Sequence, residues 1–130
     1  MRAKAISWDD LEVFTAKGGK FKTPYVTISS ATFLFNSAFF HGAKLKETSH
    51  VVLAYSESNN VVVFQFTDDD KAKGALRIVQ RGSTGSVGSA SFFSYNFLDV
   101  NELQGRYQPK KVKLPKIGET WIIYLDKKLA

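Results

Sequence analysis

The chain has 130 residues, 44% of them apolar, which suits one globular domain whose core needs no staple. Cysteine is absent, excluding a disulfide framework, thiolate metal centres and a cysteine nucleophile. Lys and Arg number 18 against 12 Asp and Glu, a formal charge of +6 compatible with a polyanionic partner.

Met1–Asp10 carries two basic residues, but no apolar run follows, so no signal peptide is predicted. Ser7–Phe14 reads either as a short helix capped by Ser7 or as an edge strand. The charge-free stretch Thr23–Ala43 has the length of a membrane span. Thr27, Ser29, Ser30, Asn36 and His41 interrupt it, and each would need a partner in lipid. The expectation is a cytoplasmic protein without a membrane segment.

Tyr25-Val26-Thr27-Ile28-Ser29 alternates with period two and predicts a strand, with a second short strand over Thr32–Phe35. Asn36 is placed to cap a helix over Ser37–His41, ended by Gly42. His50–Tyr55 and Val61–Phe66 predict a hairpin across the turn residues Ser56–Asn60. The apolar run Val61-Val62-Val63-Phe64 suits a strand covered on both faces. Ala75–Gln80 reads as a further strand, and Gly82–Ser89 as a flexible loop rich in Gly and Ser. Ser91 would cap a helix over Phe92–Leu98, with Phe93 and Phe97 on one face. Gly105–Lys113 reads as a strand, Leu114–Gly118 as a turn and Thr120–Leu125 as the closing strand. The fold class expected is a β-dominated α+β domain over residues 1–130, with a barrel-like sheet and two short helices.

No catalytic constellation is expected. His41 and His50 are too few for a zinc site, so neither metal nor cofactor is predicted. Gly85-Ser86-Val87-Gly88 lacks the spacing of a nucleophile elbow. The glycines at 82, 85 and 88 match no nucleotide-binding motif, although amides before the Ser91 helix, with Arg81 beside them, could hold one phosphate. Asp68-Asp69-Asp70 alternate in direction and read as an exposed turn rather than a cation site.

The positive charge is C-terminal. Residues 75–130 hold nine cations and four acids, whereas residues 26–74 hold four and five. Arg77, Arg81, Arg106, Lys110, Lys111 and Lys113 form the expected phosphate-binding face, with Tyr107 or Tyr95 as a stacking candidate and Lys127 and Lys128 as tail charges. In an extended strand Lys111 and Lys113 share a face and Val112 takes the other.

Two stretches, 23–67 and 82–126, follow a similar order of strand, aromatic helix and hairpin. This pattern suggests an internal repeat whose halves would intertwine about a pseudo-twofold axis. Tyr25-Val26-Thr27-Ile28-Ser29, Phe35-Asn36-Ser37-Ala38 and Val51-Val52-Leu53-Ala54-Tyr55 resemble the AbrB/MraZ swapped-hairpin regulators. That resemblance implies a DNA-binding regulator. The family's helix usually carries a basic residue where this chain has Phe39, Phe40 and His41, and Lys46-Glu47-Thr48-Ser49 stands in place of its Gly-Asp turn. The reading reached from sequence is a non-catalytic nucleic-acid-binding protein, in practice a DNA binder and compatible with a homo-oligomer. The alternative is a structural or assembly module that binds a protein partner.

Overall fold

Alternating apolar side chains build the largest hairpin. Val51, Leu53 and Tyr55 of β3 (His50–Ser56) lie opposite Phe66, Phe64 and Val62 of β4 (Val61–Thr67), and all six join the core. The computed structural model describes residues 23–129, so the expectation for Ser7–Phe14 lies outside the described residues.

Among the described residues, ten strands form two five-stranded antiparallel sheets. The first sheet runs β6 (Val79–Arg81), β7 (Thr84–Gly88), β2 (Thr32–Phe35), β1 (Val26–Ser29), β8 (Gly105–Tyr107). The second runs β5 (Ala75–Arg77), β3, β4, β10 (Gly118–Tyr124), β9 (Lys110–Leu114). Their inner faces meet through aromatic rings. Phe33 and Phe35 of β2 stand edge-on to Phe64 at 5.0 and 5.9 Å, and Phe35 reaches Phe66 at 5.5 Å. The β-dominated α+β class is as expected, but the sheets do not close into a barrel.

Among the described residues three short α-helices occur instead of two. Asn36 caps α1 (Ser37–Gly42), as predicted. Its Oδ1 accepts hydrogen bonds from the amides of Phe39 and Tyr25, and its Nδ2 donates to the carbonyl of Thr23. Helix α2 (Ala90–Tyr95) starts after Ser89 rather than Ser91, and Ser89 Oγ donates to the Val87 carbonyl instead of capping. The third, α3 (Val100–Leu103), is capped by Asp99. No helix among the described residues is long and apolar enough to cross a membrane.

Three strand expectations are corrected. Ala75–Gln80 is split at Ile78, whose buried side chain and amide bond to the Ser49 carbonyl mark where the chain passes between sheets. Gly105–Lys113 is split into β8 and β9 at Gln108-Pro109, where proline has no amide for a ladder. The Gly/Ser-rich stretch 82–89 is mostly β7, paired with β2 in the middle of its sheet. Gly85 belongs there because a Cβ would come within 3.2 Å of Ile78 Cγ2 and 3.4 Å of the Phe40 ring.

The strand order has an internal symmetry. If β1, β2, β3 and β4 are matched with β6, β7, β9 and β10, then β6-β7-β2-β1 and β3-β4-β10-β9 each read alike from both edges. A shift of 53 residues places Val26 on Val79, Asn36 on Ser89 and Ser37 on Ala90.

Candidate nucleic-acid interface

The topology divides the six expected cations between two flanks. Arg77 lies on β5 and Arg81 on β6, which are edge strands joined through Ile78. Arg106 lies on β8, and Lys110, Lys111 and Lys113 lie on β9, the edges at the other side of each sheet. A single face carrying all six is therefore corrected.

The β8–β9 flank is the denser group, and the chain end adds to it. The Leu129 amide donates to the Arg106 carbonyl at 2.8 Å, forming a β-bridge that lays the segment Lys127–Leu129 beside β8. Lys127 and Lys128, read from sequence as tail charges, thus join this flank. No local pattern announces them, because the bridge spans more than twenty residues. The Lys128 stem lies against Gly105 and its Nζ donates to the Glu102 carbonyl at 2.8 Å. Lys127 Nζ stands 4.7 Å above the Tyr124 ring. The Arg106 guanidinium lies 5.2 Å from the centre of the Tyr25 ring.

Along β9 the predicted alternation holds. Lys111 pairs with Trp121 and Lys113 with Glu119 across the ladder, whereas Val112 pairs with Thr120 on the other face. Glu119 tempers the positive face, since its carboxylate sits 3.4 Å from Lys111 Nζ. Both side chains are more than half exposed, so the pair holds weakly. Lys110 falls on the Val112 face, so the three exposed lysines line the edge from both faces over about 16 Å, at ~3.3 Å per residue.

Tyr107 is not a stacking platform. Its ring is fully buried, its hydroxyl donates to the Leu103 carbonyl at 2.6 Å, and burial raises its pKa above the ordinary tyrosine value. The phosphate cradle before α2 is also corrected. Arg81 pairs with Thr84 at the start of β7, while α2 follows its end, about 13 Å away at ~3.3 Å per residue. In the acidic turn, the Asp69 carboxylate accepts the Lys71 amide and so closes its own loop. Among the described residues no three His, Asp or Glu side chains converge on a metal position.

Two features went unread in the sequence. Phe97, read as sharing a core-facing helical face with Phe93, is 95% exposed, and Tyr95 beside it is 82% exposed. A cleft of about 330 Å³ opens between the end of α1 and β9–β10, lined by Lys44, Thr48, Phe66, Lys111, Glu119 and Trp121 among others. Comparison of the chain with protein-family models, curated proteins and solved structures finds no match.

Proposed function

We propose that this is a non-catalytic, cytoplasmic nucleic-acid-binding protein that holds phosphates along the β8–β9 flank. The observation carrying this reading is that Arg106, Lys110, Lys111, Lys113, Lys127 and Lys128 all sit on or beside the adjoining edge strands β8 and β9, with Lys111 and Lys113 on one face of β9 and Lys110 on the other. The symmetric strand order supports the swapped-hairpin resemblance and, with it, duplex DNA as the partner. Arg77 and Arg81 fall outside the contact surface. Neutralising ~5 phosphates gives a log–log salt slope of roughly −4.5 on duplex DNA. Fluorescence anisotropy of a labelled duplex across a salt series measures it. Absence of binding at low salt, or indifference to salt, would overturn the proposal.

A second reading, a module that docks a protein partner, is favoured by one observation. Tyr95 and Phe97 protrude into solvent next to each other, in a cleft shared with Tyr55 of β3, which two strands separate from β9.

A further inference from the structure

Helix α2 ends with its chain turned outward. The Leu98 amide bonds to the Phe93 carbonyl at 2.9 Å and the Phe97 amide to that of Ser94 at 3.2 Å, with Phe97 at φ 56°. This is the left-handed ending that glycine normally supplies. Phe93 and Leu98 pack on the core, while Phe97 stands almost wholly in solvent. The first half of the chain provides an internal control. After α1 the matching position, by the same shift of 53 residues, is Lys44, also at φ 56°. Gly42 and Ala43 take the places of Tyr95 and Asn96. The fold thus ends this helix without an aromatic residue, so packing does not explain Tyr95 or Phe97.

What surrounds them identifies a chemistry. Tyr95 and Phe97 line a cleft of about 580 Å³ with Tyr55, Ser94, Asn96 and Glu57. Three aromatic rings and one carboxylate border this cleft, and among the described residues no cationic side chain lines it. Aromatic faces attract cations through their quadrupole, and a flanking carboxylate strengthens the attraction. On a chain of net charge +6, a cleft of this make-up is locally of opposite character.

We infer that the Tyr55–Tyr95–Phe97 cleft recognises a cationic side chain, lysine or its methylated ammonium, presented by a basic peptide segment of a protein partner. The inference deepens the protein-docking reading and is independent of the phosphate-binding flank. Tetramethylammonium is the simplest probe, and tert-butanol is a neutral control of similar shape. In amide-resolved NMR titrations, tetramethylammonium should shift Tyr55–Glu57 and Ser94–Phe97 selectively. A lysine-rich peptide should shift the same residues more tightly than its norleucine counterpart. Phe97→Ser and Glu57→Gln should each weaken the peptide about three- to thirtyfold, the range of a cation–π or flanking-charge contact. Phe97→Gly, which suits the backbone at that position, guards against a folding artefact. Equal response to tert-butanol and to norleucine would overturn cation recognition while leaving apolar docking in place. No response to any probe at these residues would overturn both.

Discussion

Phe93 and Phe97 are four residues apart and nominally share a helical face, yet one is in the core and the other in solvent. The difference is one backbone angle. Because α2 stops at Tyr95, the positive φ of Phe97 swings its side chain away from the line of Phe93. Placing glycine there should relieve about 1 kcal/mol of backbone strain, raising Tm by roughly 3–5 °C. Thermal unfolding of Phe97→Gly followed by circular dichroism checks this; an unchanged or lower Tm would contradict it. Tyr107 presents the opposite case, a polar tip inside the core. Burial favours its neutral phenol, so its folded pKa lies above the unfolded value near 10. Its contribution is therefore fully present below pH 10 and is lost as pH climbs through the raised folded value. Tyr107→Phe should cost about 1 kcal/mol at neutral pH, through the lost bond to Leu103. It should also flatten the decline in stability above pH 10, measurable by urea unfolding at several pH values.

Elements whose sequence pattern was self-contained were readable in advance. The β3–β4 hairpin needed only two alternating runs and a polar turn, and its bounds fell within a residue of expectation. Helix α1 was found through Asn36, whose side chain does more than cap, since it also ties down Tyr25 and Thr23. Asn36→Ala should therefore cost about 2 kcal/mol, more than an average cap, read as a lower urea midpoint at unchanged slope. Asn36→Asp keeps both accepted bonds and should cost less. What the sequence hid were the breaks. Ile78 and Gln108-Pro109 interrupt strands because the chain changes sheets there, which is a matter of tertiary position. The Gly/Ser run of β7 lacks strand propensity but is held by pairing with β2 on one side and β6 on the other. Strand β9 ends its sheet, and its lysines also discourage edge-to-edge pairing. Replacing Lys111 and Lys113 with threonine should therefore increase light scattering on storage; unchanged scattering would leave the lysines no such role.

At the scale of the whole molecule, the C-terminal charge excess was visible in the composition, whereas its arrangement was not. Strands adjacent in sequence proved to lie on different sheets, and opposite edges separated Arg77 and Arg81 from the rest. The same topology gathered Lys127 and Lys128, through the Leu129–Arg106 bridge, onto the flank that β9 defines. The chain is thereby left with two surfaces of different character, a cationic edge at β8–β9 and an aromatic, acidic cleft beyond β3. The central claim is that the first of these binds nucleic acid. Its most direct measurement is the affinity for one labelled DNA duplex, at fixed low salt, of two paired charge reversals. Lys110→Glu with Lys113→Glu should weaken binding by at least about a hundredfold, at roughly one lost phosphate contact or more per reversal, while Arg77→Glu with Arg81→Glu should change it only severalfold through the net charge. Equal losses from the two pairs, or a larger loss from the arginine pair, would contradict the account.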